Sequence, residues 1–386
     1  MNSNASGALK VVVSGMVAGD PHQGGATWAV LQYVLGLQRL GCHVILVEQW
    51  EVPADATGLG GSQSGAYFRD LVASFDLEER AALLRAGTTE TVGLSYERLL
   101  QACRGADLLL NVSGLLTDER LIAEIPVRVY LDLDPAFNQL WHATGIDMRF
   151  GGHTHFVTVG QAIGTPESEV PTSGLEWIPT VPPVVLERWP VAEGPGSGRF
   201  TTIGNWRGYG SIEHNGVQYG QRVHSMRRFM SLPRLASADF ELALAIHPDE
   251  KPDLEALAEN GWKLVDPVEA AGTPARYAGF IRGSYAELGI AKSGYVVSRS
   301  GWFSDRSACY LASGRPVLAQ DTGFTRFLPT GEGLIPFTDV EEAAAGVEEL
   351  ARDYRLHAQR ARELAVEHFD SDVVLSRLLE RVGARR

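Results

Sequence analysis

Short apolar runs alternate along the chain with longer segments of helical period, the pattern of βαβ units on a parallel sheet. In the first half these runs predict strands over 10–17, 44–48, 107–112 and 127–132, with another near 156–159. Residues 26–40 carry Trp28, Leu31, Val34, Leu35 and Leu37 on one stripe, and Gly41 follows as a helix stop. In the second half the pattern predicts strands over 200–203, 240–246, 263–265, 295–298 and 316–319. Helices are predicted over 221–230, 285–292, 306–312 and 340–350, and one or two amphipathic helices from about Arg352.

The stretch 191–198 combines Gly, Pro and Ser between two strand-rich regions and reads as a linker, after the stiff run Trp177-Ile-Pro-Thr-Val-Pro-Pro. This gives domains over 1–190 and 199–386, an α/β class and a cleft between them. Ligands of such sheets sit at the carboxyl ends of the strands. A chain of 386 residues with 45% apolar and 21% charged positions has material for two cores and is too apolar for wholesale disorder. The three cysteines, Cys42, Cys103 and Cys309, form neither a metal spacing nor a paired framework, which fits a reducing compartment. No apolar run reaches the roughly 20 residues of a membrane span, and residues 1–10 lack a signal-peptide core. The expectation is a cytoplasmic protein without a transmembrane segment. The net charge of −13 divides into −10 over 1–190 and −3 over 191–386, which argues against a nucleic-acid partner and leaves the second half the better host for an anion.

The densest polar segment runs from Ser300 to Gly323 and reads as loop, helix, Gly-Arg-Pro turn, strand and second loop. Ser304 or Asp305 would cap the helix, whose N-terminal amides suit a phosphate. Asp305 could bind ribose hydroxyls, and Arg306 could clamp a diphosphate. The segment from Thr201 to Arg222 follows a strand and precedes a helix. Its Gly204, Gly208 and Gly210 admit a ligand close to the backbone, and Arg207 and Arg222 could neutralise a diphosphate. Trp206 or Tyr209 could stack on a base, and Asn215-Gly216 marks a hairpin turn. In the first half the loop from Gly15 to Gly25 is glycine-rich without satisfying G-x-G-x-x-G, which weakens a nicotinamide reading. Asp132 and Asp134 end a strand on one side, where they could bind hydroxyls, supply a base or hold a cation, while Asp134 alone reads as a helix cap before Pro135. His153 and His155 are too closely spaced for a zinc site, and no metal is expected.

The succession helix, Ser313-Gly-Arg-Pro-Val317, strand, Gln320-Asp321 loop resembles the donor-binding domain of GT-B glycosyltransferases. The resemblance covers the organisation of residues 200–370 and is sharpest over 300–323. It implies two Rossmann-like domains, a nucleotide-sugar donor in the second domain, and a small-molecule acceptor in the first, with no cofactor. On this reading Asn205, Trp206, Arg207, Arg222, Ser300, Trp302, Ser304, Asp305, Arg306, Gln320 and Asp321 meet the donor. Gly24, Gly25 and Asp134 meet the acceptor, and His22, Asp20 or Asp132 supplies the base. The Glu-x7-Glu pair of many retaining members is absent, because Gly301 and Cys309 stand at its positions, and this tilts the expectation toward inversion. A nucleotide-sugar epimerase of the same architecture and a non-catalytic nucleotide or sugar binder are the alternatives.

Overall fold

The computed structural model describes residues 7–51 and 58–384. The first unit is built on strands β1 (Lys10–Ser14), β2 (His43–Trp50), β3 (Ala81–Arg85), β4 (Thr91–Gly93), β5 (Leu108–Val112), β6 (Val127–Asp132), β7 (His155–Thr158) and β8 (Trp177–Pro179). They lie in the order β4-β3-β2-β1-β5-β6-β7-β8, parallel except at the β3–β4 edge. The second unit holds β9 (Arg199–Asn205), a hairpin of β10 (Ile212–His214) and β11 (Val217–Tyr219), then β12 (Asp239–Ala245), β13 (Lys263–Leu264), β14 (Ala286–Gly289), β15 (Val317–Gln320) and β16 (Leu334–Phe337). Its parallel sheet runs β13-β12-β9-β14-β15-β16. Strand order reverses between β1 and β5 and between β9 and β14, and a doubly wound sheet opens a crevice at such a point.

The strands are continuous apolar runs because helices cover both sheet faces. Val11, Val12 and Val13 and every residue of β5 are buried. The first helix, Gly24–Arg39, buries its predicted stripe and ends where Gly41, at φ +77°, donates back to Gln38. Asn215 and Gly216, at φ +52° and +77°, form the left-handed pair of a type I′ turn in the predicted hairpin.

Two predicted elements exchange places. Residues 285–292 hold β14 rather than a helix, and 295–298 fall in the helix Ser293–Ser298 rather than a strand. β14 lies between β9 and β15, and its acidic residue Glu287 is fully buried against Arg306, so a charge that suggests a helix surface lies inside the sheet. The predicted helix over 221–230 is shorter, Arg222–Met226 followed by a 3₁₀ turn over Arg227–Phe229. Strands β3, β4 and β8 and the helices Gln63–Ser74, Tyr96–Arg104, Lys251–Glu259 and Pro274–Gly283 add to the elements read from the pattern.

The chain crosses between the units through 191–198 and again near Asp370, where Val184 donates to Phe369 O (2.7 Å) and Ser371 donates to Val184 O (2.9 Å). The last helix, Ser371–Arg381, then packs on Gly24–Arg39 of the first unit. Gly36 makes this possible, since a Cβ there would stand 2.5 Å from Leu375 Cδ1. One core continues across the junction: Trp28 lies 5.0 Å from Trp189 between ring centroids, and its indole donates to Pro274 O (2.9 Å). No helix among the described residues is long and apolar enough to cross a membrane.

Two buried charged groups hold irregular backbone in place, one in each unit. Arg315, in the Gly-Arg-Pro turn, donates to Arg282 O (3.0 Å), to Gly194 O of the crossing (2.6 Å) and to the Tyr354 hydroxyl (2.8 Å). Glu48 of β2 accepts from the amides of Ala18 (2.7 Å) and Gly19 (2.9 Å), fastening the loop after β1, and burial pushes its carboxyl up to about 7. Arg315→Ala leaves buried carbonyls unpaired and is expected to lower the unfolding free energy by about 3 kcal/mol; a urea midpoint unchanged from wild type would refute the clamp. For Glu48, folded protein binds a proton that the unfolded chain has released between its ordinary value of 4.5 and about 7. Its contribution to stability is therefore present at low pH and is lost as pH rises through that window. Melting temperatures of wild type minus Glu48→Gln are expected to fall across it; a flat difference would place the carboxyl at an ordinary value.

Candidate functional site

A cleft of about 380 Å³ opens between the units, at the carboxyl ends of β1 and β9. From the first unit it is walled by His22, Gln23, Gly24 and Gly25, the end of the β1 loop and the start of the helix Gly24–Arg39. Gln23 gives that helix start no side-chain cap. His22 is held at φ +67°, its Nε2 3.0 Å from Gln63 Nε2 and its ring edge-on to Tyr67. Gly24 allows the approach of the second unit, since a Cβ there would stand 2.4 Å from Ala271 O.

From the second unit the wall includes Gly204, Asn205, Lys292, Asp305 and Arg306. Arg306 is buried and donates to Glu287 (2.5 Å) and to Ile203 O (3.0 Å), tying the helix Asp305–Ala312 to both β14 and β9. Burial alone would lower its pKa, but Glu287, together with the nearby Tyr277 and Tyr310, holds it above its ordinary value. Arg222 is buried beside it, with Nη1 on Ile290 O (2.7 Å) and Nε without a partner in the protein. Burial, and then Arg306, bring Arg222 down to about 9. The missing Cβ of Gly204 leaves room for this guanidinium, since one built there would lie 3.1 Å from Nη2. Asp305 is partly buried, and burial raises its carboxyl against the pull of Arg306. The arrangement suits an anion with extended polar groups: the Arg306 guanidinium on one wall with Arg222 buried behind it, a carboxylate beside it, and a helix start opposite.

Other predicted residues lie elsewhere. Trp206 does not stack in the cleft; it is buried, and its indole donates to Asp253 (3.1 Å). Arg207 turns outward to Glu250. Asp20 is exposed and makes no hydrogen bond to His22. Asp132 is fully buried and accepts from Asn138 (2.6 Å), Gln139 (2.8 Å), Thr158 (2.7 Å) and the Asp134 amide (3.0 Å), which makes it a hub of the β6 end. Burial nonetheless pushes it up to about 6. Asp134 does not cap the following helix, Phe137–Ala143, which starts after Ala136 without a side-chain cap; its carboxylate crosses to Lys292, Tyr209 and Tyr295 of the second unit. Ser304, Trp302 and Gln320 line a narrow recess beside Arg306, where Gln320 accepts from Ala291 N (3.2 Å) and its Nε2 has no partner. Ser300 is buried and its carbonyl accepts from Ala162 of the first unit (2.9 Å). Asp321 folds its own loop, accepting from Gly323 N (2.8 Å) and Thr325 Oγ1 (3.1 Å).

Three residues at or beneath the cleft escaped the sequence reading: Glu48, Glu287 and Lys292. A lone acidic residue within an apolar strand run was the available signal for the two glutamates. Lys292 carried none, because its role depends on Asp134, which is distant in sequence.

No protein-family model and no curated protein sequence matches the chain. Solved structures do. An alpha-glucosyltransferase in complex with UDP and a 13-mer DNA superposes with a TM-score of 0.60 at 12% identity, over 98% of this chain and 100% of that one. The Anabaena protein HepE in complex with UDP-glucose gives 0.60 at 13%, over 97% and 100%. A glycosyltransferase from Rickettsia africae gives 0.53 at 10%, over 97% and 98%. At such identities the likeness is one of backbone architecture, and it extends over both units. The chain has the GT-B glycosyltransferase fold.

Proposed function

We propose that the chain is a glycosyltransferase that moves a sugar from a nucleotide-diphosphate donor, bound by the second unit, to a small acceptor held by the first. The observation that carries the reading is the pair of buried guanidiniums, Arg306 and Arg222, at the β9–β14 switch point, with Arg222 Nε left without a protein partner. A buried donor of this kind calls for an acceptor atom from outside the chain. The alpha-glucosyltransferase and HepE structures are complexes with UDP or UDP-glucose, which makes uridine donors the first to test.

In this reading an acceptor oxygen attacks the anomeric carbon as the bond from that carbon to the diphosphate oxygen breaks. The electron pair leaves with the diphosphate, and Arg306 and Arg222 stabilise its charge. They are already fixed by Glu287, Ile203 O and Ile290 O, so they need not reorganise during the step. This places charge stabilisation on arginines rather than on a metal ion. His22, on the opposite wall, takes the acceptor proton, and the configuration inverts. One alpha-glucosyltransferase structure contains a 13-mer DNA, but a duplex needs a basic face, and residues 1–190 of this chain carry −10. The charge favours a small neutral or amine-bearing acceptor.

A thermal-shift panel of nucleoside diphosphates and their glucose conjugates is expected to show stabilisation, with Arg222→Gln cutting the affinity on the order of tenfold. A panel without any stabiliser would sink the donor assignment. His22→Ala is expected to lower kcat by about 10²–10⁴ while leaving the donor-induced shift intact; unchanged turnover would remove His22 from the reaction. Donor stabilisation without transfer to any acceptor or hydrolysis would indicate a binding protein, and deuterium exchange at a sugar carbon would indicate an epimerase.

A further inference from the structure

Lys292 stands three residues beyond β14, where the two units meet, and lines the cleft with Asp305 and Arg306. Its ammonium donates to both oxygens of Asp134 at 3.2 Å, to the Tyr295 hydroxyl at 3.3 Å and to the Tyr209 hydroxyl. Both tyrosines in turn donate to Asp134. The rings of Tyr209, Phe137 and Tyr295 surround the nitrogen at 4.1, 5.2 and 5.2 Å from their centroids. Asp134 and Phe137 belong to the first unit and the other three residues to the second, so this knot pins the units together next to the cleft. Arg222 binds Ile290 O, two residues before Lys292, and its unpartnered Nε therefore sits beside the same segment.

We propose that Lys292 is a third ligand for the donor's diphosphate, and that phosphate and Asp134 compete for its ammonium. The inference rests on the proposed donor site. An ammonium has three N–H groups, and Asp134 and the two hydroxyls engage them, so a phosphate oxygen is gained only by releasing one of these acceptors. The exchange leaves Asp134 hydrogen-bonded. Asp134 keeps two phenol donors, and the ammonium is a point charge on a flexible four-carbon stem that can pivot toward Arg306. Donor binding would then withdraw the cation that ties Asp134 to the segment after β14, leaving the two phenol hydroxyls as the remaining bonds to Asp134 from the second unit.

The test is isothermal titration of wild type, Lys292→Gln, Lys292→Arg and Asp134→Asn with UDP, GDP and TDP, and with the nucleoside of whichever binds tightest. Lys292→Gln keeps a hydrogen-bond donor for Asp134 but not the charge. It is expected to weaken the diphosphate on the order of tenfold and leave the nucleoside unchanged, with Lys292→Arg restoring most of the loss. Asp134→Asn is expected to strengthen the diphosphate severalfold while lowering the melting temperature of the free protein. A diphosphate-to-nucleoside ratio untouched by Lys292→Gln, or a diphosphate weakened by Asp134→Asn, would overturn the inference while the donor reading stands. Wild type that binds no nucleoside diphosphate would overturn the donor reading itself. If Lys292→Gln fails to fold, the direction of the Asp134→Asn effect decides alone.

Discussion

The ion pair of Glu287 with Arg306 fixes the geometry on which the cleft depends. Glu287 has no solvent exposure and lies within a central strand, a position a carboxylate tolerates only with a partner. Arg306 supplies that partner from the start of the helix Asp305–Ala312 and spends a second bond on Ile203 O at the end of β9. Two strands and one helix are thereby locked where the sheet's strand order reverses. Asp305 is carried to the cleft wall as the neighbour of Arg306, and Arg222, bound through Nη1 to Ile290 O, keeps an Nε without a partner. Buried pairs of this kind are often no more stable than apolar residues of similar volume. The use of this one is position rather than net stability.

The two sides of the cleft are joined by different physics. On the side of the chain crossings the contact is apolar: Trp28, Trp189 and Tyr277 continue one core into the other, and the last helix packs on the first. On the far side Phe137, Trp141, Tyr209 and Tyr295 pack edge-on around a polar centre of Asp134 and Lys292. Apolar contact is non-directional and survives small shifts, whereas a charged knot is made or broken within an ångström. The crossings therefore suit a permanent joint, and the aromatic side suits a contact that can be exchanged.

The sequence revealed the architecture more fully than the site. Parallel strands buried on both faces declare themselves as apolar runs, and the Asn215-Gly216 turn and the Gly41 stop are local chemistry, so these features were readable. Arg222, Arg306, Asp305 and His22 were readable as candidates because they end strands or start helices. The failures share one cause, which is contact at long range. Glu287 made a strand look like a helix because its partner lies elsewhere in the chain. Trp206 looked available for stacking because nothing near it announces Asp253, and Asp134 looked like a local cap because Lys292 and Tyr295 are more than a hundred residues away.

The loop that carries His22 shows how the first unit prepares its side of the cleft. A histidine at φ +67° holds a conformation that costs an L residue roughly 1 kcal/mol or more, and it persists only where the surroundings over-determine it. Here they do. Glu48 takes the amides of Ala18 and Gly19, Ser64 donates to Gly19 O (2.9 Å), and Thr27 donates to Val17 O (2.8 Å). Gly24 then presses the start of the helix against Ala271 and Thr273 of the second unit. A loop secured at this many points along its own unit and seated against the other cannot be an incidental connection. Its strained residue lines the cleft with its ring set between Gln63 and Tyr67, held there by the same contacts that seat the loop.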